Sequence, residues 1–569
     1  ELFIIYNANK EAVEFRLPGG KGSDPEQEPS ENYFALEGKW QLLTDGTRFK
    51  IKEDTKLEQI KELEGSVWAE PVCMRTSGVL LPVFSLPSPH GIGCFSKEAY
   101  EWVDFLKLAG QQYWQILPLG PTSYGDSPYQ SFSTFAGNPY FISIEELIEE
   151  GVLTKKECDK VDFGTDTTSV DYAKLYEGRM QLLRKAYERS NIYMDPEFRR
   201  FQEEEAWWLK DYALFMAVKK RFGGIPWSEW AEDIRLRWQN ALDYYREEMY
   251  FEIEFQEYMQ FKFRQQWMAL KSYANEKGIQ IIGDIPIYVA MDSADTWANP
   301  WLFKLDEKNC PTQVAGCPPD GFSATGQLWG NPLYNWEVHR NSGYEWWIKR
   351  ISNCFRLYDV VRIDHFRGFD EYYAIPYGDK TAENGWWEKG PGIDLFRAIS
   401  ARLGDREIIA EDLGYMTDSV KQLVEESGYP NMKVIEFAFD ERDTGNASDY
   451  LPHNYPRNCV VYTGTHDNET LLSWLDDITP GERRQVREYL NNFKDSGKEL
   501  CDDLICLVMQ SVANLCIIPM QDYLGLDNSA RMNQPSTLGK NWKWRLKEGQ
   551  FSKELQKEML ELATRYGRR

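Results

Sequence analysis

Three acidic residues stand where short apolar runs end: Asp364 in Val361-Arg362-Ile363-Asp364-His365, Glu411 in Ile408-Ile409-Ala410-Glu411-Asp412, and Asp467 in Thr463-Gly464-Thr465-His466-Asp467-Asn468. An acid closing an apolar strand of a barrel projects into its mouth. Three of them are therefore expected to share one cleft rather than to cap three separate helices. Arg362 lies two residues before Asp364, which on a strand puts both side chains on one side of the sheet. A guanidinium there favours the ionised form of Asp364, unless the two are simply a structural ion pair. An ionised carboxylate beside an arginine, with a second carboxyl in a less compensated place, suits two-step displacement at an acetal carbon. One carboxyl attacks and the other alternates as acid and base. Two of only five histidines, His365 and His466, adjoin these acids.

Such chemistry needs no metal and no cofactor, and none is expected. The chain has no P-loop, no GxGxxG opening a βαβ unit, no HExxH and no GxSxG. Its ten cysteines are scattered without CxxC or Cys/His ligand spacing, which fits a reducing, cytoplasmic setting.

The elements that must hold the acids are eight apolar runs: Val79–Phe84, Tyr113–Leu119, Ile279–Asp284, Val360–Asp364, Glu407–Glu411, Lys433–Phe437, Cys459–Thr463 and Cys516–Met520. Separated by amphipathic stretches, they predict an α/β fold, a (β/α)8 TIM barrel spanning 71–569. A strongly helical insertion is expected at about 145–275 and a loop insertion at about 288–358, both on the strand-exit face. Residues 1–70 read differently, as short β-type runs broken by Asn, Gly and Pro, the texture of a partial all-β sandwich. With neither an initiator Met nor a signal peptide at Glu1, the chain reads as a piece of something longer.

Composition narrows the partners. Over 569 residues, 65 Lys and Arg against 90 Asp and Glu leave a formal charge of −25, the wrong sign for nucleic acid or an anionic membrane. No run of about eighteen apolar residues is present to span a bilayer. The 21 Trp and 32 Tyr suit ligands that are apolar on one face and hydrogen-bonding at the rim, as sugars are. Three turns join an aromatic ring to polar groups in that manner: Asp126–Gln130, Pro318–Phe322 and Gln327–Pro332.

Taken together, several strings resemble the amylomaltase, or 4-alpha-glucanotransferase, family. They are Ser127-Pro128-Tyr129-Gln130-Ser131, Gly283-Asp284-Ile285-Pro286, Pro318-Pro319-Asp320 with Gly326-Gln327-Leu328-Trp329-Gly330-Asn331-Pro332, Arg362-Ile363-Asp364-His365-Phe366-Arg367-Gly368, Ala410-Glu411-Asp412-Leu413-Gly414, Gly464-Thr465-His466-Asp467-Asn468 and Ala530-Arg531-Met532-Asn533. The resemblance runs from about Gly78 to Leu546. It implies retaining transfer of α-1,4-glucan segments, with α-1,4-glucans and maltooligosaccharides as donor and acceptor. By motif position it makes Asp364 the nucleophile, Glu411 the acid/base and Asp467 a stabiliser of the distorted sugar. It also implies sugar contacts for Tyr129, Asp284, Asp320, Gln327, Trp329, Arg362, His466 and Asn533. Gly321 departs from the bulky residue common after the Pro-Pro-Asp turn. Residues 1–70 resemble, more weakly, the end of a pullulanase-type β-sandwich, which implies fusion to an upstream debranching module. The alternatives to transfer are an α-amylase-type retaining hydrolase and a non-catalytic glucan-binding protein.

Overall fold

The computed structural model describes residues 42–43, 51–52, 75–122, 125–319, 323–414, 416–441, 447–493 and 496–569. Two compact units divide the chain, Glu1–Met74 and Arg75–Arg569. In the first, Leu42–Leu43 pairs antiparallel with Ile51–Lys52. The remaining runs expected to build a β-sandwich there lie outside the described residues.

The second unit is built on eight parallel strands: β1 (Thr76–Leu80), β2 (Tyr113–Gln115), β3 (Gln280–Pro286), β4 (Val360–Asp364), β5 (Ile408–Ala410), β6 (Asn431–Val434), β7 (Cys459–Tyr462) and β8 (Leu515–Pro519). Each pairs with the next, and β8 pairs with β1 to close the barrel. Because helices cover the outside and packed side chains fill the inside, the strands read as continuous apolar runs. Two boundaries differ from those expected. Pro82 cannot donate to a ladder, so the tail of the first run leaves the barrel as a 3-10 turn at Val83–Ser85 while β1 begins earlier, at Thr76. Likewise β6 ends at Val434, and Ile435–Phe439 turns away as 3-10 helix.

Between β2 and β3 the insertion is helical, ending in the long helix Tyr250–Glu276 that runs straight into β3. Its buried amides are stapled to a neighbouring segment. Gln260 bonds both the N–H and the C=O of Gly137, at 2.7 and 2.8 Å, and Gln266 accepts from the Ser143 N–H at 2.7 Å. Much of the tryptophan excess is spent on packing rather than on ligand surface: Trp102, Trp114, Trp227, Trp267, Trp297 and Trp347 are fully buried.

The second insertion is more regular than expected. Where 288–358 reads as loops, Gln313–Cys317 and Gln327–Pro332 join Glu371–Pro376 and Trp386–Lys389 in a four-stranded antiparallel sheet, followed by the helices Trp336–Asn341 and Glu345–Leu357. Half of that sheet comes from beyond β4: two antiparallel strand pairs, one on each side of β4 in the chain, join through Gln313–Cys317 and Glu371–Pro376, and that pairing has no local signal in the sequence.

Gly283 in β3 sits against the ring of Tyr358, which closes the crossover into β4; an added Cβ would lie 2.2 Å from the ring carbons. Both are in the wall beneath the barrel mouth. Gly283→Ala is expected to destabilise the unit by about 1–3 kcal/mol through overpacking, read as a lower urea midpoint at unchanged m-value.

Candidate active site

Asp284 on β3 and Arg362 on β4 are register partners across the ladder. Arg362, 3% exposed, donates through one amino group to both Asp284 oxygens, at 2.8 and 2.7 Å, and through the other reaches Asp364 at 3.0 Å. The guanidinium is thus clamped between two carboxylates. The pairing of Arg362 with Asp364 follows the strand alternation read from the sequence. Asp284, however, is its fuller partner, a contact 78 positions away that only the register creates.

Asp364 is the last residue of β4, with its side chain 30% exposed at the mouth. Burial pushes its carboxyl up; the Arg362 guanidinium pulls it down but does not fully offset burial and the nearby Asp284 charge, so the carboxyl is raised rather than lowered as the Arg362 pairing predicts from sequence. Glu411 follows β5 directly. Burial, and next the charge of Asp364, push it up to about 8, although its oxygens accept from the His365 N–H at 2.6 Å and the Leu413 N–H at 2.8 Å. Two interacting carboxyls therefore meet, both raised, with Glu411 the one pushed up to about 8.

His365 carries the bend between them. Its φ of 53° is left-handed, a conformation unfavourable for a side chain with a Cβ, and it aims the His365 N–H at Glu411. Burial drives its imidazole down to about 3, so the ring stays neutral. The edge of that ring meets Trp329, centroids 4.8 Å apart at 89°. Trp329 in turn donates its indole N–H to Gln327 at 3.1 Å.

Asp467 lies in the turn after β7, and its side chain, 45% exposed, is the most open of the three acids. Asn533 donates to Oδ1 at 2.6 Å, His466 Nε2 stands 3.5 Å from Oδ2, and Arg531 holds the backbone carbonyl at 2.9 Å. Tyr129 stacks on His466 with centroids 5.1 Å apart at 18° and donates its hydroxyl to Asp284 at 2.9 Å. Tyr129 therefore links the Asp467 side of the cleft to the Arg362 side.

Of the residues singled out from sequence, Asp364, Glu411, Asp467, Tyr129, Asp284, Arg362, His466 and Asn533 form one connected group, and Trp329 with Gln327 borders it through His365. Asp320 lies outside the described residues, as does Gly321. Sequence reasoning missed Trp542, whose ring lies 5.7 Å from Tyr129 and 5.9 Å from His466. It sits far along the chain, between Asn541 and Lys543, with nothing in its spacing to mark it. Among the described residues no cluster of His, Cys, Asp or Glu is arranged to hold a metal ion, and no helix is long and apolar enough to cross a membrane.

A family model described as 4-alpha-glucanotransferase matches residues 81–551. The 4-alpha-glucanotransferase of Clostridium butyricum is 48% identical over 488 residues, 85% of this chain and 99% of that protein. That of Thermus thermophilus is 47% identical over 490 residues, 84% of this chain and 96% of that protein. The solved amylomaltase from Streptococcus agalactiae in complex with acarbose matches with a TM-score of 0.84 at 42% identity, covering 87% of this chain and 99% of that one. A closed barrel, carboxylates at its mouth and matches of this extent agree: the chain belongs to the 4-alpha-glucanotransferase, or amylomaltase, family.

Proposed function

We propose that this 4-alpha-glucanotransferase moves α-1,4-glucan segments between maltooligosaccharide, starch or glycogen chains through a covalent intermediate on Asp364. The observation that carries the reading is the unequal setting of two neighbouring carboxyls. Asp364 faces a fixed guanidinium at 3.0 Å, whereas Glu411 is pushed up to about 8 and holds a proton at neutral pH. Asp364 attacks C1 of the bound glucan while Glu411 protonates the departing 4-oxygen. Glu411 then takes the proton from the 4-OH of an incoming glucan, which displaces Asp364 and remakes the α-1,4 bond. Two inversions give retention. Asp467, held by Asn533, is assigned to the hydroxyls of the distorted sugar, and Tyr129, Asp284, Asp320, Gln327, Arg362 and His466 to the sugar ring and its surroundings.

Transfer outruns hydrolysis when the intermediate is shielded from water while a sugar acceptor is favoured. Trp329, braced on His365 at 4.8 Å beside Asp364, is assigned that task. The weak resemblance of the sequence of residues 1–70 to a debranching-enzyme segment supports fusion to a debranching module, and the singly scattered cysteines favour a reducing cytoplasm.

One assay tests the reading. With maltotriose alone, glucose and longer maltooligosaccharides are expected at constant total reducing ends; rising reducing ends would mean a hydrolase. Asp364→Asn is expected to abolish turnover while sparing glucan binding, and Trp329→Ala to shift products toward hydrolysis. Residues 75–569 alone should retain the disproportionation. The pH profile supplies a separate check. Glu411 acts as acid only while protonated, so kcat/KM should fall above a basic limb near pH 8. A basic limb below about pH 6, in the ordinary carboxylate range and a little above, would remove Glu411 from that role.

A further inference from the structure

Arg350, on the helix Glu345–Leu357, is fully buried, 1% exposed, and lies outside the group of residues that face the cleft. Its fork of donors is used in three directions. Nε donates to Thr134 Oγ1 at 2.7 Å; one amino group donates to the Ile287 carbonyl at 2.8 Å and to the Tyr334 hydroxyl at 3.2 Å; the other donates to the Pro286 carbonyl. The indole of Trp347 lies against the guanidinium, 4.8 Å from ring centroid to Cζ.

The three destinations are not equivalent. Thr134 belongs to the segment that carries Tyr129. Pro286 and Ile287 are the exit of β3, two and three residues after Asp284. Tyr334 follows the strand that carries Gln327 and Trp329, and its own hydroxyl bonds the Ile287 carbonyl at 2.8 Å. A buried cation normally answers a carboxylate. Here all four of these bonds go to neutral oxygens, and the nearby Asp295 is instead engaged with the Thr134 N–H at 2.8 Å, tightening the same segment. Behind Tyr129 and Asp284 lies a cavity of about 50 Å³, bordered also by Thr134 and Arg350. It gives the Tyr129 segment room to sink if its anchor is lost.

From these contacts we infer that Arg350 is a positioning residue for glucan transfer: it holds the Tyr129 segment, the β3 exit and the Trp329 segment in one mutual register, and so sets the place of Tyr129 against Asp284 and of Trp329 against His365. Lysine cannot substitute, because a single ammonium lacks the planar fork that reaches all three.

The test is a set of double-mutant cycles on kcat/KM for maltotriose disproportionation, with melting temperature followed in parallel. Arg350→Lys should lower kcat/KM by about 100-fold, the scale of an ångström-level misplacement. Thr134→Val, which removes one hydrogen bond to a charged group, should lower it by about tenfold. The discriminating result is selectivity. Thr134→Val should lose its effect in a Tyr129→Phe background, and Tyr334→Phe should lose its effect in a Trp329→Ala background, whereas the crossed combinations should add. A general loss of stability cannot produce that pattern. Full additivity in every background, or a lowered melting temperature with kcat/KM unchanged, would overturn the inference. Should Arg350→Lys fail to fold, the Thr134 and Tyr334 cycles decide it unaided.

Discussion

The Arg362 guanidinium, almost wholly buried inside the barrel, is held there by opposite charge on fixed supports; removing one member of such a group costs about 3–5 kcal/mol. Asp284 and Asp364 supply that charge from adjacent strands, one below the mouth and one at it. Many features of the cleft follow. Asp284 must be dry, and it is fully buried; Tyr129 then bonds its second oxygen and brings His466 into line. Asp364 must remain reachable, so among Arg362, Asp284 and Asp364 it alone extends toward solvent.

The same arrangement separates two carboxyls that would otherwise titrate alike. The Arg362 guanidinium is in direct contact with Asp364, whereas it reaches Glu411 only from a distance and leaves burial and the neighbouring charge to be offset by it and by two backbone N–H groups. One of those N–H groups is that of His365, available because the chain bends there through a left-handed residue. Backbone strain at His365 thus sits at the point where the nucleophile's strand is coupled to the acid's.

How legible this was in sequence depends on how local each cause is. Asp364, Glu411 and Asp467 could be read because a buried parallel strand is an apolar run and its last polar residue faces the mouth. Strand alternation gave Arg362 with Asp364, since that contact spans two positions. The Arg362–Asp284 bond could not be read, because it requires the register of β3 on β4. Trp542 was hidden for the same reason, packing on Tyr129 across most of the chain length. The sheet that carries Gln327 and Trp329 was mistaken for loops, because its strands are short, interrupted by Gly316 and Gly330, and completed by segments from beyond β4. The aromatic excess pointed to sugar but is largely core, since a helical insertion packed on a barrel must fill its seams with large rings.

The helix Tyr250–Glu276 belongs to two structures at once: it is the last member of the insertion and the crossover that delivers β3 to the barrel. The barrel therefore cannot close between β2 and β3 until about 160 intervening residues have found their places. Contacts that wait on so long a loop form slowly and leave apolar strand edges uncovered in the meantime. The glutamine staples to Gly137 and Ser143 join the two ends of that insertion, so the segment leaving β2 and the helix entering β3 are tied together beside the strands they connect.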